Sequence, residues 1–399
     1  MSGLLSLEEA WARIAPLARP LQTETLVPGD AHGRVLAADA RAAVDLPPFD
    51  RSAMDGYAVR AADAAAGPLT LAGAVAAGDV ATSELAPGTA MGITTGAALP
   101  PGADAILQSE HATVLDGHVS ADPAPAAGRH VRYRGEDVHR GDVLVPAGKR
   151  IGIAHVSSLV AAGVAAVEVG RRARVAILVT GSELLEPGAP PEPGRIHDSN
   201  GVVLRLLTER AGAQAIPLGR APDERAETVA AVERGLGADV LLISGGVSVG
   251  EHDHVRPALA ELGVEELFWR VRLKPGKPLW FGRRDETLVF GLPGNPLSSL
   301  VCFLVFVAPA LDRLHGEAQA RPTYVRGRLA VPAEAEDGRT TFLTARLERA
   351  EDGTLLATPT ERQGSHMTGA LGESDGFVVV PHDPGDLSAG TAVDILVSP

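Results

Sequence analysis

The sequence predicts a multidomain chain built around a doubly wound α/β domain, flanked on both sides by β-rich regions. Its 399 residues exceed what one hydrophobic core normally serves, so about two to four domains are expected. From Arg171 to Leu314, apolar runs of strand length alternate with helical patterns, as βαβ units on a parallel sheet do. Residues 67–128 and the stretch from Arg321 to Pro399 instead carry short apolar pieces parted by Gly, Pro and Asp turn signals.

Composition narrows the function classes. Hydrophobic residues at 45% and charged residues at 22% are those of a globular chain. No unbroken apolar run reaches the roughly 18 residues of a membrane span, so no membrane partner is expected. Glu8 and Glu9 fall where an export signal needs an apolar centre, which points to the cytoplasm. Cys302 is the only cysteine, which excludes an internal disulfide and a multi-cysteine metal site. It lies in an apolar run and reads as a buried, inert thiol. A net charge of −14 with no basic stripe argues against nucleic acid. An anionic ligand would need a local cluster of donors. Of 36 basic residues only Lys149, Lys274 and Lys277 are lysines. Two of these share Leu273–Pro278 (LKPGKP), as if a compact ammonium were needed there.

Along the chain, Leu4, Leu7, Trp11, Ile14 and Leu17 recur at helical spacing behind Ser6, a plausible N-cap. A second amphipathic segment covers Gly33–Ala42. Pro47 and Pro48 then exclude regular helix, and Asp55-Gly56 marks a turn into an extended run. This stretch reads equally well as a domain-crossing segment. Gly92–Gly96 holds Thr94 and Thr95 in a glycine-framed loop or a plain turn. Arg132–Asp142 is a polar connector, and a helix is expected over Gly152–Gly163. The α/β region reads as strands at Val175–Val179, Ala215–Leu218, Val240–Ile243 and Thr287–Phe290, with an apolar piece at Leu267–Val271. Between them stand a helix carrying Val202, Val203, Leu206 and Leu207 after Asp198-Ser199-Asn200, one at Pro222–Arg234 and one at Val255–Leu262. A long helix follows over Leu297–Leu314.

The chain is organised around Ala238–Asp253 (ADVLLISGGVSVGEHD). Its apolar run lacks polar alternation and suits a parallel strand buried on both faces. It breaks at Ser244-Gly245-Gly246 and continues through Ser248, either as a surface turn or as a loop bringing backbone N–H groups to a ligand. Ligands bind at the carboxyl ends of strands in such sheets. Glu183 follows the first strand, Asp253 the organising one, and Gly294-Asn295-Pro296 the last, while Asp223 opens a helix. The carboxylates suit a hard cation such as Mg²⁺, although Asp223 reads equally as a helix cap. Lys274, Lys277 and helix-start N–H groups suit oxyanions. Together they describe metal-assisted chemistry on a phosphorylated substrate. His252-Asp253-His254 invites a transition-metal reading, but no third ligand is evident.

In order, DRSAMDGYAV (50–59), MGITTG (91–96), RGED (134–137), TGSEL (180–184), SGGVSVG (244–250), KPGKP (274–278), GLPGNP (291–296) and QGSH (363–366) closely resemble the motifs of the molybdopterin molybdenumtransferases. The gephyrin E domain is a relative of that family. The resemblance spans the chain. It implies a homodimer whose subunits have four domains: 1–45 with 132–170, an inserted β-rich domain 46–131, a molybdopterin-binding α/β domain 171–318, and a β-barrel 319–399. It implies Mg²⁺-dependent insertion of molybdenum from molybdate into adenylylated molybdopterin, releasing AMP. The site would be shared between subunits, Asp55 and Thr95 entering from the second domain of the partner copy. Glu183, Asp223 and Asp253 match the metal or phosphate side; Lys274, Lys277, Ser298 and Ser365 match the molybdate side. Other enzymes of molybdenum-cofactor synthesis are reasonable partners.

Two positions depart from the pattern. Thr344 stands where relatives usually have Arg, and Arg346, two residues on and on the same strand face, is the expected substitute. Arg270 replaces a Lys before KPGKP, keeping charge but not shape. The alternative to an enzyme is a non-catalytic molybdopterin carrier or scaffold. A related adenylyltransferase would resemble the α/β domain alone.

Overall fold

The computed structural model describes residues 4–222, 224–247, 254–334, 338–383, 385 and 387–398. Two compact units emerge: Met1–Glu24 with Gly33–Ala37 and Val169–Pro399, and Thr25–His32 with Ala38–Glu168.

The second unit is the β-rich one. Six strands between Gly56 and Ala121 form one sheet, in which Gly56–Val59 pairs with both Thr89–Ile93 and Ala105–Gln108. Gly56 is obligatory: at φ 158° a Cβ would collide with the Leu107 carbonyl. The polar connector is stitched by Asp45, which accepts from Arg134 Nε at 2.6 Å and from the Arg140 amide at 2.8 Å. The expected helix after Gly152 is Ile153–Ala161. The amphipathic stretch Gly33–Ala42 holds no helix and ends in the short strand Ala40–Arg41.

The first unit holds the α/β sheet. Its strand order is Gln214–Ala221, Arg174–Thr180, Val240–Ser244, Thr287–Leu292, Trp280–Arg284, Glu265–Trp269. The first four are parallel. Val240–Ser244 sits inside the sheet and is wholly buried, as its unbroken apolar run requires. Val240 and Leu242 enter one core with Leu204 and Leu207 of the Asn200–Arg210 helix and Trp11 and Ile14 of the Leu7–Ile14 helix. Leu241 and Ile243 enter the opposite core with Val232 and Leu259, from the helices Arg225–Gly235 and Val255–Glu261. Helices on both faces make the sheet doubly wound.

The sheet is not wholly parallel. Trp280–Arg284 returns into Thr287–Leu292 through Asp285-Glu286, with Arg284 opposite Thr287. A two-residue connection permits only antiparallel pairing, and Asp285 takes the required positive φ of 52°. The apolar piece expected at Leu267–Val271 is the antiparallel edge strand Glu265–Trp269.

The N-terminal helix opens with a reciprocal capping box, Ser6 Oγ accepting from the Glu9 amide at 3.1 Å and Glu9 from the Ser6 amide at 2.7 Å. The long helix expected from Leu297 runs Pro296–Cys302, widens into a π turn at Phe303–Val307 and resumes at Ala308–Leu314. The widening coincides with Pro309, which lacks the amide donor a regular turn would use. By length and mean hydropathy (1.8) Pro296–Leu314 could cross a membrane, yet 78% of it is buried inside the protein, as a core helix is.

Beyond it, Val325–Leu329, Thr340–Arg349, Leu355–Pro359, Gly376–Val380 and Ala392–Val397 close into a five-stranded barrel, since Thr340–Arg349 pairs with both Leu355–Pro359 and Gly376–Val380. A sixth short strand, Leu273–Lys274, joins from the α/β region: Leu273 lies opposite Thr340 and Lys274 opposite Thr341.

The entry to the sheet is clamped by Asp239, which accepts from both terminal guanidinium nitrogens of Arg171 at 2.7 and 2.6 Å and from the Arg174 amide at 2.7 Å. Burial pushes this carboxyl's pKa up, but the Arg171 and Arg174 bonds outweigh it and the net shift is downward. A depressed carboxylate stabilises the fold above its unfolded pKa, and that contribution vanishes as pH falls through the folded value. Asp239→Ala should therefore cost about 2 kcal/mol at neutral pH. In denaturant titrations its deficit against wild type should shrink at pH values below about 4.

Candidate functional site

A cavity of about 960 Å³ opens at the carboxyl ends of the central parallel strands. It is where a doubly wound sheet places a ligand. Thr180 and Glu183 line it after the first strand, Ser244, Gly245 and Gly246 after the organising one, and Gly294, Asn295 and Pro296 after the last. Asp198, Ser199 and Asn200 form a further wall at a helix start, and His366 and Thr368 reach it from the barrel.

The strand ends are tied together by Asn200. Its side-chain nitrogen donates to Ser244 Oγ at 2.8 Å and to the Gly294 carbonyl at 2.7 Å. Asn200 occupies the inward stripe 200, 204, 207, 208 of its helix and is only 8% exposed. Sequence reasoning read it as part of a cap, yet that same spacing marks it as an inward polar group. The capping falls to Asp198, whose carboxylate accepts from the Gly201 amide at 2.8 Å. Val202, Val203 and Leu206 of the same helix are 37%, 37% and 50% exposed.

Gly245 and Gly246 adopt φ of 92° and 68°. A Cβ on Gly245 would stand 2.8 Å from Thr180 Oγ1, and one on Gly246 would collide with Val255 Cγ2. The glycines thus let the second strand end pass between its neighbours. The amide of Gly245 still donates to the Leu292 carbonyl at 3.0 Å. Asn295 caps the last helix in extended conformation with Pro296 at its first turn, as the GLPGNP text predicts.

Lys274 is half-buried and Lys277 exposed, on a turn fixed by the Lys274–Thr341 pairing and by the Val271 amide donating to the Lys277 carbonyl at 3.0 Å. Pro278 of the same turn lines the cavity; neither lysine does. A Cβ on Gly276 would lie 2.8 Å from the sulfur of Cys302, which is fully buried and whose thiol pKa burial pushes far up. This bears out the inert thiol. Ser298 is 4% exposed on the Pro296–Cys302 helix and does not line the cavity. Ser365 Oγ accepts from the Asn295 side-chain nitrogen at 3.0 Å. Arg346 is exposed and engaged by Glu373 at 2.9 Å, away from the cavity lining. Thr344, at the expected Arg position, is fully buried with its hydroxyl 2.6 Å from that of Thr360. Asp223, Ser248, His252 and Asp253 lie outside the described residues. Among the described residues no group of three or more His, Cys, Asp or Glu side chains could hold a metal.

In the β-rich unit, Asp55 Oδ1 accepts from the Thr95 amide at 2.7 Å and its hydroxyl at 3.0 Å. Those two bonds, the amide's first, hold the carboxyl below the usual range. Both residues are exposed.

Fold and cavity together define the molybdopterin-binding α/β class. Residues 176–313 match a family model described as a probable molybdopterin binding domain. Residues 5–163 match the MoeA N-terminal region (domain I and II), and 326–397 the MoeA C-terminal region (domain IV). The chain is 36% identical to the molybdopterin molybdenumtransferase of Haemophilus influenzae, over 98% of both sequences. With that of Bacillus subtilis it shares 31% identity, over 98% of this chain and 94% of the other. A crystal structure of a molybdopterin biosynthesis MoeA protein from Pyrococcus horikoshii superposes with a TM-score of 0.83 at 32% identity, covering 99% of each chain. The chain belongs to the molybdopterin molybdenumtransferase family.

Thr95→Val removes the hydroxyl donor to Asp55 and keeps the amide one. The Asp55 pKa should rise toward the ordinary carboxylate value, so the group protonates at higher pH than in wild type, as a carboxyl-selective NMR titration would show. Gly246→Ala combines a left-handed backbone with the Val255 collision and should destabilise by roughly 2–4 kcal/mol. Thermal unfolding checks this; a wild-type melting temperature would mean that the strand end can shift freely.

Proposed function

We propose that the strand-end cavity binds adenylylated molybdopterin and that the protein inserts molybdenum from molybdate at its dithiolene. Water cleaves the phosphoanhydride, giving AMP and the terminal phosphate of molybdopterin. The observation that carries this reading is the cavity itself: three strand ends, a helix start and a barrel turn meet around one volume, inside a chain whose relatives bear the transferase name along their whole length.

Roles follow from chemistry. Glu183, with Asp223 and Asp253, supplies the hard oxygen donors that Mg²⁺ prefers. Glu183 lines the cavity, and Asp223 and Asp253 would complete the donor set. When bound, Mg²⁺ would stabilise charge on the phosphate oxygens. The backbone of Ser244–Gly246, Ser248 and the Gly294–Pro296 helix start orients the phosphorylated tail. Lys274 and Lys277 stand outside the cavity lining, on the turn whose Pro278 borders it, and with Ser298 and Ser365 would receive molybdate, the substrate oxyanion, at that margin. Asp55 and Thr95 enter from a second copy of the chain in a homodimer, and other enzymes of molybdenum-cofactor synthesis supply the substrate and take the product. Arg346 stays with Glu373.

That last point favours one second reading, a carrier that holds molybdopterin without turnover, since the barrel wall then offers one guanidinium fewer. AMP release from adenylylated molybdopterin, with and without molybdate and Mg²⁺, separates the two. Molybdate- and Mg²⁺-dependent release, reduced about 100-fold or more in Asp253→Ala, is the expected result. Tight binding without release would establish the carrier, and absence of both would overturn either reading.

A further inference from the structure

Gln363 of the QGSH motif takes no part in the roles above, yet its side chain has the most fully bonded amide around the barrel turn. Its Oε1 accepts from the Thr344 amide at 3.0 Å and the Thr344 hydroxyl at 3.2 Å. Its Nε2 donates to the Thr344 carbonyl at 3.0 Å, the Thr360 carbonyl at 2.7 Å and the Thr360 hydroxyl at 3.3 Å. Donating to and accepting from one residue, Thr344, is what the opposing residue of an antiparallel hydrogen-bonded pair does. The side-chain amide thus extends the barrel ladder beyond Pro359, where the strand ends.

The turn held this way leads directly to the cavity. Two residues on, Ser365 Oγ accepts from Asn295 at the helix start; His366 and Thr368 then line the cavity. The turn therefore has two anchors, Gln363 on the barrel and Ser365 on the α/β helix. Thr344 completes the first. It is fully buried, and its hydroxyl meets Thr360 and Gln363. An arginine there would have to evict this knot, so position 344 in this chain is structural.

We infer that Gln363 is a positioning residue: its side-chain amide, docked on Thr344, sets where Ser365 and His366 stand at the cavity. The part concerning catalysis rests on the proposed function; the part concerning the turn does not. In Gln363→Leu the amide is lost, the Thr344 groups lose partners, and the turn loosens while the barrel keeps its strand pairing. Thr344→Ser keeps a hydroxyl and should behave as wild type.

Two measurements on the full-length protein test this. Hydrogen exchange of peptides covering 340–350 and 360–372 reads the turn without any substrate. Gln363→Leu should speed exchange there by about tenfold or more, with peptides of the strands Val325–Leu329 and Ala392–Val397 unchanged. Unchanged exchange at 360–372 overturns the inference; so does acceleration across the whole barrel, which would mark Gln363 as merely structural. Steady-state AMP release reads the consequence. KM for molybdate should rise about tenfold with kcat within about twofold. Combined with Ser365→Ala, Gln363→Leu should give less than the sum of the two single effects, because part of its action runs through Ser365. Additive effects would refute that route. If wild type released no AMP while exchange responded as described, the proposed function would fall and the turn assignment would stand.

Discussion

The Asn200 amide is the point on which the cavity depends. Three parallel strands end side by side with carbonyls and hydroxyls turned toward a common space, and nothing in β-pairing fixes those ends once the ladder stops. One side chain, entering from a helix start, donates to Ser244 on one strand end and to Gly294 beyond another. It is buried, so both bonds form where water competes poorly and an unmade one would cost about 1–3 kcal/mol. Around this knot the glycines permit close passage and Asn295 carries the connection to the barrel. The same tight closure that makes the strand ends a wall leaves them little freedom to rearrange around a ligand.

Much of this was legible in the residues. Val240–Ile243 announced a strand buried on both faces because every position is apolar, and Asn295-Pro296 announced a helix start because that pair satisfies the first-turn geometry. Ser6 read as a plausible N-cap, and the structure makes it one and adds the reciprocal bond from Glu9. What escaped is of one kind. The role of Asn200 depends on where two other strand ends arrive, and the Trp280–Arg284 hairpin on a two-residue turn with no glycine to flag it. Local spacing encodes a face, not what that face meets. Arg346 shows the same limit: alternation suggested that it could stand in for an arginine at 344, while Glu373, from a distant segment, engages its guanidinium.

The site residues also divide by the kind of support beneath them. Ser244 and Asn295 stand at the ends of regular elements, a strand and a helix, while Glu183 lies in the turn that follows Thr180. Lys274 and Lys277 stand on a turn whose place is set by Gly276 against Cys302 and by pairing with the barrel. Asp55 relies on a single neighbour, Thr95, in the other compact unit. The structural support beneath these side chains falls from the first group to the last.

The short strand Leu273–Lys274 belongs by sequence to the α/β region and by hydrogen bonding to the barrel. The C-terminal region is therefore not a detachable module. Separated at the apparent boundary near Arg321, the barrel would present the bare edge of Thr340–Thr341, the kind of unpaired strand that recruits other chains. The α/β part would in turn carry a lysine turn with nothing to lean on. Shuffling such a segment between proteins, or trimming it in a lineage, is opposed at the level of solubility before catalysis is ever tested.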